Sequence, residues 1–234
     1  MENDEAIIHR NISIIQETME RMCQKSGRNT DSVKLMAVTK TMDQKAVEAA
    51  MKAGITLFGE NRVQEALEKY TPMPKNVSLH LIGHLQRNKA KRAAGFFACI
   101  ESIDKYETAA VLDTLCSEQK IMLPILLEMN TSGEESKNGY LDADSLFRDL
   151  EKILELQHIT VQGLMTIGPF TGDTGRIREA FSRLRDTLDG VKTRFAIPQC
   201  RELSMGMTGD YEIAIAEGST IVRIGTGIFG GRNT

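Results

Sequence analysis

A single parallel α/β barrel, the (β/α)8 or TIM-barrel arrangement with one extra N-terminal helix, is the fold class this sequence predicts. Three observations lead there. Strand-like apolar runs alternate with stretches of helical periodicity, eight such runs can be counted, and the 234 residues come close to the roughly 250 such a barrel occupies.

The runs at 34–38, 56–59, 79–82, 98–102, 121–128, 160–165, 201–203 and 220–224 read as strands. Helical spacing fills the intervals at 43–52, 62–70, 86–94, 105–119, 142–156, 174–190 and 210–217. Strand followed by helix, repeated, requires right-handed parallel crossovers. Such strands can lie open as a doubly wound sheet or close, and short loops favour closure. A leading helix over 2–25 carries Ile7, Ile8, Ile14, Ile15, Met19 and Met22 toward one surface, the outside of the barrel. The turn-rich segments 29–32 and 72–76 read as loops, so residues 1–234 are expected to form one domain.

Composition narrows the function classes. Hydrophobic residues at 41% and charged residues at 26% are ordinary for a globular chain. A net charge of −3 gives no general attraction to nucleic acid or anionic lipid, and neither partner is expected. Cys23, Cys99, Cys116 and Cys200 are scattered, without metal-ligand spacing, and read as reduced core residues; no metal is expected. The acidic N-terminus lacks the order of a secretory signal, and no apolar stretch has bilayer length, so the expected location is the cytoplasm.

The chemistry starts at Lys40, which follows the first strand. An amine at the C-terminal end of a barrel strand, where such folds keep their active sites, points to Schiff-base formation with an aldehyde. Closure makes the first and last strands neighbours, so Arg223 at the end of strand eight shares that mouth. Two loops suit a phosphate: Ser204-Met205-Gly206-Met207-Thr208-Gly209-Asp210 after strand seven and Gly225-Thr226-Gly227-Ile228-Phe229-Gly230-Gly231 after strand eight. Their glycines admit backbone N–H groups and their hydroxyls add donors. Each residue also has a plainer reading. Lys40 alone reads as a solvated loop lysine, and Arg223 pairs equally well with Glu60 or Asp210. Asn61 can cap a helix beginning at Arg62, and His84 can be a packing residue. The basic run from Arg87 to Arg92 is a solvated helix face or a docking surface.

Five blocks decide among these readings. Ala37-Val38-Thr39-Lys40-Thr41, Phe58-Gly59-Glu60-Asn61-Arg62-Val63-Gln64-Glu65, His80-Leu81-Ile82-Gly83-His84-Leu85-Gln86-Arg87-Asn88-Lys89, Leu203-Ser204-Met205-Gly206-Met207 and Gly218-Ser219-Thr220-Ile221-Val222-Arg223-Ile224-Gly225-Thr226 run in order through the chain. Together they resemble the pyridoxal phosphate homeostasis protein family, whose barrel is that of the N-terminal domain of alanine racemase. The resemblance implies pyridoxal 5′-phosphate as cofactor and Lys40 as its Schiff-base lysine. It implies phosphate contacts at Ser204, Gly225 and Thr226, Arg223 at the pyridine nitrogen, and Asn61 and His84 along the other side. Thr208 stands where serine is expected, and Gly227 where alanine is expected.

Arginine beside the ring nitrogen disfavours its protonation and leaves the ring a weaker electron sink than aspartate would. Racemisation needs a second acid/base, and none of Tyr70, Tyr106, Tyr140 or Tyr211 directly follows a strand. The expected function is therefore a monomeric carrier that keeps intracellular pyridoxal phosphate available, with apo enzymes as acceptors. A low-activity amino-acid racemase is the alternative, and a cofactor-free aldolase acting on a sugar phosphate is a third class.

Overall fold

The computed structural model of the protein describes residues 4–134 and 137–231. Eight strands form one closed barrel in sequence order: β1 Lys34–Val38, β2 Leu57–Glu60, β3 Ser78–Leu81, β4 Cys99–Ile103, β5 Leu123–Glu128, β6 Ile159–Met165, β7 Glu202–Ser204 and β8 Ile221–Ile224. All neighbours pair in parallel, and β8 closes on β1 with Met36 opposite Arg223. The helices are α1 Asp4–Lys25, α2 Gln44–Lys52, α3 Val63–Lys69, α4 Ala90–Ala93, α5 Tyr106–Gln119, α6 Ala143–Ile153, α7 Thr174–Phe195, α8 Tyr211–Ala216 and α9 Thr226–Phe229.

Period-two alternation sorts each strand between two environments. Ala37, Ile125 and Leu127 join the large outer core between sheet and helices. Met36, Leu57 and Ile221 form one inner cluster, and Cys99, Leu126 and Met165 form another. Apolar packing plugs part of the interior, and polar side chains occupy the rest. The first strand lies where expected, and the others differ from expectation by one or two residues at an end. Strand five, for instance, starts at Leu123 and not at Ile121, because Lys120 ends α5 in the left-handed region and Ile121 N–H still caps Cys116 O.

Two helices differ more. The expected stop at Gly190 is overridden: α7 continues to Phe195 and ends at left-handed Ala196. A Cβ at Gly190 would lie 3.0 Å from Phe147 on α6, so this glycine serves helix packing and not termination. The 86–94 segment is no regular helix but a 3-10 turn, Arg87–Lys89, followed by one turn of α4. In α1 the buried face is Ile8, Ile12, Ile15, Met19 and Cys23, while Ile14 is exposed on the opposite side; residues 2 and 3 of the expected helix lie outside the described part. This helix packs on α2, α8 and α9 over the β8–β1 seam, where Asn11 Nδ2 donates to Ile228 O at 2.9 Å.

Candidate cofactor site

Lys40 leaves the end of β1 on a turn whose neighbours are tied down on both sides. Alternation sends Thr39 outward, where its hydroxyl donates to Glu60 Oε1 at 2.7 Å and lies 2.8 Å from Tyr70 Oη. Lys69 Nζ donates to the Thr39 carbonyl at 2.6 Å and to Glu60 at 2.7 Å. Beyond Lys40, Thr41 sits at φ 66, an unusual conformation for a β-branched residue, and its N–H donates to Glu65. Lys69 also donates to Glu65, so one buried ammonium links both anchors of the lysine-bearing turn. Burial pushes the Glu60 carboxyl above its usual range, with Lys69 and Thr39 pulling it back. The side chain of Lys40 itself is exposed at the barrel mouth.

Beneath the mouth runs a buried polar chain. His80 Nδ1 lies 2.7 Å from Glu101 Oε1, and Ser204 Oγ donates to the other Glu101 oxygen. Arg223 Nη1 donates to Ser204 Oγ at 2.8 Å, and its Nη2 to Thr166 O at 2.7 Å. Burial raises the cost of the Glu101 charge, yet His80, Arg223 and Ser204 outweigh it and hold the carboxyl below its ordinary range. Burial likewise lowers the Arg223 value, opposed by Glu101, Asp210 and Glu128. Arginine remains charged under such conditions. Three strands thus converge on one fixed guanidinium.

The two glycine-rich loops meet above it. Thr226 Oγ1 donates to Thr208 Oγ1 at 3.2 Å, and Gly227 N–H donates to the same oxygen at 3.1 Å. Gly206 adopts φ +94, and a Cβ there would lie 2.5 Å from Ala214, so only glycine lets the β7 loop fold onto α8. Gly225 rests against Val38, which brings the cup beside the Lys40 strand.

Closure therefore brings Lys40, Arg223, Gly225 and Thr226 to one mouth. Ser204 is nearby but deeper than expected: its hydroxyl is taken up by Glu101 and Arg223, while Thr208, Thr226 and Gly227 make up the cup. Asn61 is half-buried after β2 and does not cap the next helix, whose N-cap is Arg62 without a side-chain bond. His84 is exposed after β3, with Nδ1 3.6 Å from Asp104 Oδ2. Arg223 does not pair directly with Glu60, which belongs to the Lys69 cluster.

The chain is similar to known proteins over nearly its whole length. The family described as alanine racemase, N-terminal domain, matches residues 9–233. A pyridoxal phosphate homeostasis protein of Pasteurella multocida is 39% identical, covering 97% of this chain and 98% of that one. Its counterpart in Aquifex aeolicus is 37% identical, with 94% and 96% covered. The chain belongs to the pyridoxal phosphate homeostasis protein family. Among solved structures similar to this family member, PipY of Synechococcus elongatus, determined with PLP bound, superposes with a TM-score of 0.79 at 33% identity, covering 91% of this chain and 100% of PipY. The alanine racemase of Clostridium difficile shares the fold at 13% identity and a TM-score of 0.72, and 57% of it is covered.

The homeostasis-family barrel also holds residues that the sequence reading passed over: Thr39, Lys69, His80, Glu101, Asp104, Glu128 and Thr166. Period two marks Glu101 and Glu128 as inward once their strands are accepted. No motif spacing announces them, because their partners lie on other strands. Three of the four tyrosine hydroxyls are engaged away from the mouth. Tyr70 Oη is engaged with Thr39 and Tyr140 Oη with Asp149, 3.1 Å away, and burial pushes both phenols upward. Tyr211 is engaged with Thr18 on α1, and Tyr106 stacks under Lys152.

Proposed function

We propose that this protein binds pyridoxal 5′-phosphate as a Schiff base on Lys40 and serves its intracellular homeostasis without efficient catalysis. The observation that carries the reading is the turn around Lys40, anchored on both sides by Lys69 so that a free amine is presented at the mouth. The residues fit the group. The Thr226 hydroxyl, Gly225 and the Thr208–Gly227 contact supply a phosphate cup, and buried Arg223, held by Ser204, faces the ring. Asn61 and His84 line the opposite side. Family membership and the PLP-bound relative support the same assignment. Bound there, the cofactor supplies an electrophilic aldehyde and an aromatic ring that can take up electrons.

The residues around it favour holding over turnover. Arg223 withholds a proton from the ring nitrogen, and the Tyr70, Tyr140 and Tyr211 hydroxyls are engaged elsewhere. Apo enzymes that need the cofactor are the natural acceptors. The protein acts as a monomer in the cytoplasm; among the described residues no helix is long and apolar enough to cross a membrane. Borohydride reduction of the yellow protein followed by peptide mapping tests the central assignment. The expected label is on Lys40, and a label on another lysine with Lys40 unmodified would overturn it. Light scattering at twice 26.0 kDa would defeat the monomer.

A further inference from the structure

Glu128 ends β5, across the barrel from β1 and Lys40. Alternation places it on the same inner face as Leu126. It is only 5% exposed, yet its carboxylate receives no hydrogen bond among the described residues. Asp104 follows β4, whose Ile103 pairs with Leu127, so the two acidic side chains stand next to each other at the rim. Asp104 Oδ1 is buried and also lacks a partner. Its other oxygen is 3.6 Å from His84, beyond a good hydrogen bond.

A buried carboxylate oxygen without a donor, as at Asp104 Oδ1, is costly, and with the nearly buried Glu128 carboxylate beside it the pair calls for a cationic occupant. The nearby cation, Arg223, spends its guanidinium on Ser204 and Thr166, while Glu101 and Asp210 share its field. A metal ion is a poor candidate, because no group of three or more His, Cys, Asp or Glu suited to one occurs among the described residues. A group with several N–H donors on one small positive centre fits better.

We infer that Glu128 and Asp104 form a subsite for the primary ammonium group of an incoming amine, with Glu128 accepting the proton that this amine must lose. The inference rests on the cofactor reading and names the chemistry by which the cofactor leaves Lys40. An ammonium nitrogen has no lone pair. When one proton passes to a Glu128 oxygen, the freed lone pair forms a new bond to the aldehyde-derived carbon. A second proton passes from the attacking nitrogen to Lys40 Nζ, the bond from that carbon to Lys40 Nζ breaks, and the new nitrogen completes the double bond. The first proton then returns from Glu128 to the departing Lys40 amine, so one C–N linkage replaces another with no oxidant or further reactant. Burial and the Asp104 charge push the Glu128 carboxyl up to about 7, with Arg223 opposing, which suits a group that must both take and return a proton near neutrality. The amine is a free amino acid or the lysine side chain of an acceptor protein.

The test adds methylamine, charged at neutral pH, or methoxyamine, uncharged there, to the cofactor-loaded protein and follows the change in its visible band. Glu128→Gln should slow methylamine at least tenfold and leave methoxyamine within twofold; Asp104→Asn should show the same selectivity more weakly. Equal slowing of both nucleophiles, or no slowing of methylamine, would overturn the inference. In cofactor-free protein, carbon-13 NMR of the Glu128 carboxyl should show its titration midpoint falling when methylammonium is added, and an unmoved midpoint would count against the subsite. Nα-acetyllysine amide and L-alanine, compared in the first assay, separate a protein lysine from a free amino acid: a Glu128 requirement for either supports the subsite, for neither removes it. If wild-type protein develops no visible band with pyridoxal phosphate, the underlying cofactor reading has failed, a result distinct from any of these.

Discussion

Thr208 and Gly227 share the space of one methyl group. A Cβ built on Gly227 would lie 3.1 Å from Thr208 Cγ2 and 2.9 Å from Ile224 Cγ2. The resemblance calls for serine at the first position and alanine at the second, so the two departures compensate: the methyl lost from 227 reappears on 208. Gly227→Ala alone should crowd this contact and cost about 1 kcal/mol, offset in part by better helix propensity in α9. Adding Thr208→Ser should restore stability, giving a favourable coupling of about 0.5–1 kcal/mol in a urea-unfolding double-mutant cycle. Strict additivity would show that the two sites do not communicate.

Lys69 holds the Thr39 carbonyl, Glu60 and Glu65 together, with its side chain 7% exposed. Replacing it by methionine strands Glu60, so the protein should lose about 3 kcal/mol or more at neutral pH. Glu60→Gln in the same background should recover part of that loss by removing the unpaired charge. The turn carrying Lys40 would remain loosened in both variants. Stopped-flow mixing with pyridoxal phosphate should therefore show slower band formation even where the melting temperature has been restored.

How far the sequence could be read follows from where each residue finds its partners. Strands and helices announce themselves locally through apolar periodicity, and Lys40, Arg223 and Thr226 could be placed because closure makes β8 and β1 neighbours. Asn61 misled because capping is decided by one φ/ψ pair, and the helix starts a residue later than its composition suggests. Glu101 and Ser204 are 103 residues apart, and nothing in either segment signals that they share a hydrogen bond inside the barrel. The same holds for Lys69, which reads as an ordinary surface lysine on α3 until β1 and β2 are laid beside it.

Glu128 gives the fold a pH signature. Its carboxyl is raised from 4.5 to about 7, chiefly by burial, so the folded state prefers it protonated. That preference stabilises the cofactor-free protein fully below about pH 4.5 and is lost as pH rises through 7. The difference is at most about 3 kcal/mol. Glu101 works in the opposite sense, its depressed value favouring the fold above the ordinary carboxylate range. The clean measurement is thus the gap between wild type and Glu128→Gln in chemical denaturation. Relative to wild type, the variant should gain stability between pH 5 and 8; a constant gap would mean that Glu128 does not titrate in this window.

Ser204 and Thr226 were expected to act alike, and their surroundings separate them. Thr226 faces the loop cup, so Thr226→Ala should weaken pyridoxal phosphate about tenfold, the worth of a hydrogen bond to a charged group at roughly 1.5–3 kcal/mol. Unphosphorylated pyridoxal, already weak, should hardly notice. Ser204 supports Arg223 from below, and Ser204→Ala should disturb both ligands and shift the visible band. A purely phosphate-selective loss in Ser204→Ala would return its hydroxyl to the cup.

The carrier reading is decided at the amino-acid Cα. Arg223 is fixed by Ser204 and Thr166 and, in the proposed site, would leave the ring a weak electron sink, while Tyr70 and Tyr140 spend their hydroxyls on Thr39 and Asp149. Proton removal from a bound amino acid would thus lack both the pull from the ring and the Tyr70 and Tyr140 hydroxyls as acids. In heavy water, L-alanine incubated with the loaded protein should take up deuterium slowly and keep its configuration, even as its amine exchanges with Lys40. A parallel assay should find cofactor passing to an apo enzyme. Rapid loss of configuration, abolished by Lys40→Ala, would make this protein a racemase. Glu128, the inward carboxylate across the barrel from Lys40, would then be the first residue to test as its base.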